Sequence, residues 1–189
     1  MFIKRACLLL IALTTLAGCV TSRPQNLEKA FSTVAFSPDH SLLAFADATE
    51  LRELKVETRT PVITLRQLPQ NTEASKPIDY RSGVGDTLVF LDDHRIATTG
   101  MGGLVSIWDI RRGSRLSVID PPTTEVLAST IDYSPSTNRL IVGTVDGHIF
   151  LANVSGDAVG PLLPIAKLEG YIWDLQFGQE GQYFASASM

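Results

Sequence analysis

Short runs of alternating apolar and polar residues recur along this chain, with turn residues between them. The clearest run covers residues 104–109, where Val105 and Ile107 flank a serine. Alternation of this kind is typical of a half-buried β-strand. A Trp-Asp pair, Trp108 and Asp109, closes the run. The pattern therefore predicts a chain built from strands.

Four segments share one arrangement. In each of them a short strand ends in an aromatic residue, a turn rich in Ser, Pro, Asp or Gly follows, and a strand of small and apolar residues comes next. The aromatic residues are Phe36, Phe90, Tyr133 and Phe177. The last two intervals between them are 43 and 44 residues, whereas the first is 54. We assign the excess to an inserted loop over residues 66–86, which contains several Pro and Gly and little periodicity.

Further strands are predicted within each segment. In the third segment an Asp-Gly turn, Asp146-Gly147, stands between two apolar runs and is a strong hairpin signal. Third strands are predicted at residues 53–56, 104–110 and 148–153. Outer strands are predicted at residues 61–65, 116–119 and 163–168.

These segments resemble WD40 repeats, which are about 40–45 residues long and form four-stranded propeller blades. The resemblance covers residues 32–189 and rests on the repeat spacing, the Trp-Asp ending at Trp108-Asp109 and the turn at Asp146-Gly147. It implies an all-β fold with antiparallel four-stranded blades of a WD40-like β-propeller, about three and a half blades, incomplete or open.

The sequence also departs from the WD40 pattern. The Gly-His pair that opens such repeats is missing throughout, and only the second repeat keeps Trp-Asp. We therefore expect the hydrogen-bond network of well-formed WD40 blades to be incomplete. Asp146 occupies the aspartate position of that network but has no evident partner in the sequence.

The predicted domains are a signal peptide, a tether and the propeller region. They cover residues 1–18, 19–31 and 32–189. Within the propeller region the predictions are blade 1 at 32–65, the inserted loop at 66–86, blade 2 at 87–119, blade 3 at 128–168 and a partial blade 4 at 171–189. Propellers typically close with four to eight blades. We therefore expect a fragment of a longer protein, or completion of the propeller by further blades or a second chain.

The first eighteen residues have the features of a secretory signal. Lys4 and Arg5 precede an apolar run that is too short to span a bilayer, and small residues follow it. Residues 16–19, Leu-Ala-Gly-Cys, resemble the bacterial lipobox, which implies cleavage before Cys19 and a lipid on that residue. In enterobacterial lipoproteins an Asp after the cysteine retains the protein in the inner membrane, so the resemblance implies that Val20 favours the outer membrane wherever that rule applies. An ordinary secreted protein and an uncleaved anchor are the alternatives.

Composition, net charge and the positions of Cys and His exclude several classes of function. A hydrophobic fraction of 44% is enough for a core, and a net charge of −4 argues against a nucleic-acid partner. The two cysteines, Cys7 and Cys19, cannot build a zinc cluster. His40, His94 and His148 lie in three different repeats at unequal positions, so no shared metal site is expected. The sequence predicts no catalytic residue, cofactor or metal.

Candidate partner-binding residues are Trp173, Arg111 and Arg112. Trp173 lies near the face where propeller partners often dock, and an exposed aromatic there would act as a binding anchor. Core packing is the alternative for Trp173, and a solvated turn is the alternative for the two arginines.

The function predicted from these features is a non-enzymatic, membrane-tethered protein–protein interaction scaffold of WD40 type, on the periplasmic face of a bacterial envelope. Its expected partners are other envelope proteins, and the membrane through a lipid on Cys19. The alternatives are the sensor or substrate-binding portion of a larger, truncated enzyme, and an outer-membrane assembly factor.

Overall fold

A computed structural model describes residues 31–47, 62–70, 72–74, 78–79, 87–99, 105–119 and 127–189. Regular structure in these ranges consists of antiparallel strands, apart from one 3₁₀ turn at Gln179–Gly181. The strands form four sheets that follow one another along the chain. The predicted signal peptide, Cys19 and all of the tether except Phe31 lie outside the described residues.

Sheet 1 contains five strands, and its first three pair in chain order. Two short strands then pair with different parts of the third strand. The five are β1 (Phe31–Phe36), β2 (Leu42–Asp47), β3 (Val62–Gln67), β4 (Thr72–Glu73) and β5 (Ile78–Asp79).

Sheet 2 contains four strands that pair in chain order. The Trp-Asp run forms its third strand, at the place that the alternating pattern predicts. The four are β6 (Leu88–Phe90), β7 (Arg95–Thr99), β8 (Val105–Asp109) and β9 (Ser114–Ile119).

Sheet 3 has the same order in its first three strands, and both of its remaining strands pair with the third. Its strands are β10 (Ala128–Ser134), β11 (Arg139–Thr144), β12 (His148–Ser155), β13 (Ala158–Val159) and β14 (Leu163–Lys167). Sheet 4 is a two-stranded hairpin of β15 (Ile172–Phe177) and β16 (Phe184–Ser188).

The prediction for the second half of the first repeat was wrong. Residues 61–65 were assigned to an outer strand, whereas β3 pairs directly with β2. The outer strands β4 and β5 lie inside residues 66–86, the predicted inserted loop. The extra residues instead lie between β2 and β3. Fourteen residues connect these two strands, whereas five residues connect the equivalent strands β7 and β8. The predicted strand at 53–56 lies outside the described residues.

The reason for this arrangement is the burial of β3. Ile63 and Leu65 are fully buried and belong to an apolar cluster with Ile96 and Trp108 of sheet 2. An outer strand would leave more of this apolar surface in water, so β3 takes a central position where its alternating side chains reach the neighbouring sheet.

Sheets 2 and 3 bury both of their faces. In β11, Leu140 and Val142 belong to a cluster shared with sheet 2, whereas Ile141 belongs to a cluster shared with sheet 4. In β7, Ile96 packs towards sheet 1 and Ala97 towards sheet 3. Successive side chains of a strand point to opposite faces. The alternation therefore stacks the four sheets face to face in chain order.

A glycine allows sheets 3 and 4 to approach closely. A Cβ atom at Gly143 would lie 2.7 Å from Cγ2 of Ile172 and 2.8 Å from Cγ2 of Thr130. Ser129 Oγ lies 2.7 Å from the carbonyl oxygen of Ile172, to which it can donate a hydrogen bond. Small residues in β10 and β11 therefore bring this pair of sheets into contact.

Candidate functional site

The structure places Trp108 in the core. Its side chain is 5% exposed and packs in the cluster shared by sheets 1 and 2. Its indole Nε1–H donates to Thr98 Oγ1 over 3.0 Å, and the guanidinium carbon of Arg115 lies 5.8 Å from its ring centroid. Trp108 therefore joins two sheets and offers little surface to a partner.

Asp109 organises the turn that carries the two candidate arginines. Its Oδ1 accepts hydrogen bonds from the backbone N–H groups of Arg111 (2.9 Å) and Arg112 (3.0 Å). Its Oδ2 lies 3.5 Å from Nε of Arg112, whose side chain is 77% exposed. The aspartate of the Trp-Asp pair thus fixes the backbone from which both arginines reach solvent.

Asp146 has two partners, so the expectation that it has none was wrong. Its Oδ1 lies 2.6 Å from Thr144 Oγ1 and its Oδ2 lies 2.7 Å from His148 Nδ1. Burial acts to raise the pKa of Asp146, but the hydrogen bonds from Thr144 and His148 outweigh it and lower that pKa below its ordinary value. The three side chains close the turn between β11 and β12.

Gly147 is required by the same turn. Its φ is +89°, and a Cβ atom there would lie 2.1 Å from the carbonyl oxygen of Leu168. The backbone N–H of Leu168 donates to the carbonyl of Gly147 over 2.9 Å. The Asp-Gly turn therefore also holds the end of β14.

The three histidines occupy separate places. His40 lies in the β1–β2 turn with φ +60°, His94 lies in the β6–β7 turn, and His148 begins β12. Within the described ranges, no three His, Cys, Asp or Glu side chains are grouped so as to hold a metal ion. The same part of the chain contains no helix with the length and apolar character needed to cross a membrane.

Trp173 lies at the surface. Among the four described sheets it is 56% exposed. Its ring centroid is 4.3 Å from that of Tyr171, with the ring planes inclined by 39°. Tyr171 and Trp173 are called the aromatic pair below. Their rings pack against each other at the start of sheet 4.

A cleft between sheets 1 and 2 was not predicted from the sequence. It has a volume of about 490 Å³. Its lining combines apolar side chains with residues of the β1–β2 and β6–β7 turns and the end of β8. These residues are Asp39, Ser41, Leu42, Leu65, Gln67, Ala74, Asp93, His94, Ile110 and Arg111. They come from distant parts of the chain, so no local motif reveals the cleft.

Four antiparallel sheets packed face to face in chain order define an open β-propeller. The solved structure of the Dos1 propeller is similar to this chain, with a TM-score of 0.63 over 83% of this chain and 38% of that one. The sequence identity is 12%, so the likeness concerns the fold alone. This chain spans well under half the length of that propeller. No family model matches the sequence, and no curated protein matches it significantly.

Proposed function

We propose that this chain is a membrane-tethered, non-enzymatic scaffold of WD40 type that binds other proteins of the bacterial envelope. The observation that carries the proposal is the exposed aromatic pair, in which Trp173 is 56% exposed. Propellers commonly bind proteins through surfaces of this kind, which is an argument by analogy of fold. The WD40 assignment is supported by Trp108-Asp109 and by the Asp146-Gly147 turn with its partner Thr144.

The aromatic pair has the chemistry of a binding anchor. Trp and Tyr dominate the energetics of protein interfaces because they bury a large, stiff apolar area at a small entropic cost. Tyr171 packs against Trp173, so the indole is partly held in place before any partner arrives. Loss of such an anchor typically costs about 2 kcal/mol or more of binding free energy.

The binding proposal can be tested by cross-linking and recovery of partners from envelope extracts. The full chain, Trp173→Ala and Tyr183→Ala are compared. Tyr183 is a matched control because it is an aromatic residue of the turn between β15 and β16 and is 61% exposed. We expect a protein that is recovered with the full chain and with Tyr183→Ala, and lost with Trp173→Ala. Equal recovery with all three chains would count against the aromatic pair.

The tethering proposal is supported by the lipobox-like residues 16–19 and the preceding apolar run. Acyl chains on Cys19 would hold the protein at the membrane, since each buried methylene contributes about 0.8 kcal/mol. We expect Cys19→Ser to abolish incorporation of labelled palmitate and release the protein from membranes. Cys7→Ser is the matched control and should keep both. Unchanged labelling of Cys19→Ser would exclude the proposed site.

The proposed outer-membrane location rests on Val20. Separation of the two membranes by density should place the wild-type protein in the outer membrane. Val20→Asp should move it to the inner membrane while leaving acylation unchanged. Recovery of the wild-type protein in the inner membrane would refute this location.

A further inference from the structure

The cleft between sheets 1 and 2 lies where three turns contact one another. The backbone N–H of Asp39 lies 3.4 Å from Oδ1 of Asp93, which joins the β1–β2 turn to the β6–β7 turn. The backbone N–H of Ile110 donates to the carbonyl of His94 over 2.9 Å, which joins the end of β8 to the same turn. Asp93, His94 and Arg111 all line the cleft.

The lining of the cleft is mixed, with more polar than apolar surface exposed to it. Its apolar surface comes mainly from Leu42 and Ala74, because Leu65 and Ile110 are only 1% and 3% exposed. The volume of about 490 Å³ is in the range of sites for small ligands. Such sites typically combine an apolar lining with a few polar groups that orient the ligand. The charged groups of this cleft therefore decide which ligand it can take.

The two carboxylates of the cleft differ in how many hydrogen bonds they already accept. Asp39 Oδ1 accepts from Ser37 Oγ (2.6 Å) and from the backbone N–H of Ser41 (2.9 Å), and its Oδ2 accepts from Ser41 Oγ (2.8 Å). The contacts of Asp93 within the described chain are limited to the 3.4 Å approach of the Asp39 N–H. Asp93 is thus the carboxylate that remains available to a cationic group.

Arg111 provides the opposite charge. Its backbone is fixed by Asp109, but no acceptor in the described part of the chain pairs with its guanidinium. The neighbouring arginines differ, because Arg112 pairs with Asp109 and Arg95 pairs with Asp92. The cleft therefore contains one available cation and one available carboxylate beside the apolar side chain of Leu42.

We propose that this cleft binds a small zwitterionic ligand of the amino-acid or short-peptide type with an apolar side chain. The ligand's ammonium group pairs with Asp93, and its carboxylate pairs with the Arg111 guanidinium, whose planar fork suits a carboxylate. Its apolar side chain packs on Leu42. This site is separate from the aromatic pair, so its test does not depend on the proposed scaffold function.

Calorimetric titration of the full chain tests the proposal, with free leucine and the dipeptide Ala-Leu as probes. We expect saturable binding of at least one probe, and the tighter of the two identifies a free amino acid or a peptide as the ligand class. Arg111→Gln and Asp93→Asn should each weaken binding by about tenfold or more, the loss expected for one charge-assisted hydrogen bond. Arg112→Gln and Asp157→Asn are matched exposed controls outside the cleft and should leave binding unchanged.

Blocked ligands provide a second test that does not depend on variants. N-acetyl-leucinamide keeps the side chain of leucine but carries neither charge, so it should bind at least tenfold more weakly than leucine if both ion pairs form. Three results would overturn the proposal: no saturable binding of either probe, equal binding of the blocked ligand, or unchanged binding by both cleft variants. Thermal unfolding of each variant confirms that a loss of binding occurs in a folded chain.

Discussion

Asp132 of sheet 3 accepts a hydrogen bond of 2.6 Å from the backbone N–H of Phe177 in sheet 4. Burial raises the pKa of Asp132 above its ordinary value, and the negative charge of Asp174 adds to the rise, against the hydrogen bonds from Phe177 and Tyr133. One carboxylate thus lies between two sheets and is more easily protonated in the folded chain than in the unfolded chain.

Asp132→Asn should change how stability depends on pH. Since the folded pKa lies above 3.8, the stabilising contribution of Asp132 is present below that value and is lost as pH rises through the folded pKa. The amide keeps an acceptor for Phe177 but does not ionise. We therefore expect the variant to gain stability relative to wild type as pH rises from about 4 to about 7, measured by urea unfolding.

Two further variants test this explanation. Asp157→Asn, the same substitution at an exposed position, is the control. Asp132→Ala leaves the Phe177 N–H without its acceptor and should lose about 1–3 kcal/mol. A difference between Asp132→Asn and wild type that stays constant with pH would contradict the assignment.

Trp108→Phe should destabilise the chain although it keeps an aromatic ring in the core. The substitution leaves the buried Thr98 hydroxyl without the indole donor 3.0 Å away and removes part of the packing between sheets 1 and 2. We expect a loss of about 1–3 kcal/mol in the free energy of unfolding. Trp173→Phe is the control at an exposed position and should change it by less than about 0.5 kcal/mol. Equal effects at the two positions would contradict the different burial of the two tryptophans.

Gly143→Ala should loosen the contact between sheets 3 and 4. The new methyl group would lie 2.7 Å from Ile172 Cγ2 and 2.8 Å from Thr130 Cγ2, so one side chain or strand must shift. Overpacking of this kind costs about 1–3 kcal/mol. The control is Gly160→Ala, where the nearest atom is 3.6 Å away and the backbone is not strained. Thermal unfolding distinguishes them, and equal stability of the two variants would show that the sheets do not approach so closely.

Asp39 should stay ionised at lower pH than an ordinary aspartate, until the pH approaches about 2. Hydrogen bonds from Ser37 and Ser41 lower its pKa from 3.8 to about 2. Its stabilising contribution is therefore present above pH 3.8 and is lost as pH falls through about 2. Ser41→Ala removes one donor and should raise this pKa towards its ordinary value, as followed by carboxyl NMR titration. Thr137→Ala is a distant control, and an unchanged Asp39 titration in Ser41→Ala would contradict the hydrogen-bond explanation.

The fold was predictable where a short stretch of sequence carries both the strand pattern and its turn. In sheet 3, the apolar runs of β11 and β12 and the intervening Asp146-Gly147 define a hairpin without reference to the rest of the chain. The partners of Asp146 were also within reach of sequence reasoning. Thr144 and His148 lie two residues before and after it, a spacing that a tight turn brings together.

Features that depend on long-range packing were not predictable. Residues 53–56 and 61–65 both have strand-like composition. Only the burial of Ile63 and Leu65 against sheet 2 shows that β3, and not an outer strand, is formed there. The contact between Asp132 and Phe177 joins residues 45 positions apart. The cleft likewise depends on which turns meet across two sheets, and alternation along one strand carries no information about that.

The burial of both faces of sheets 2 and 3 has a consequence for how the molecule opens. Local opening of a strand costs more when neighbours cover it on both sides, because more apolar surface must be exposed. Amide hydrogens of β7 and β11 should therefore exchange with solvent most slowly, whereas those of β16, in which every residue after Phe184 is exposed, should exchange fastest. Among the four described sheets, sheets 2 and 3 are therefore expected to open last.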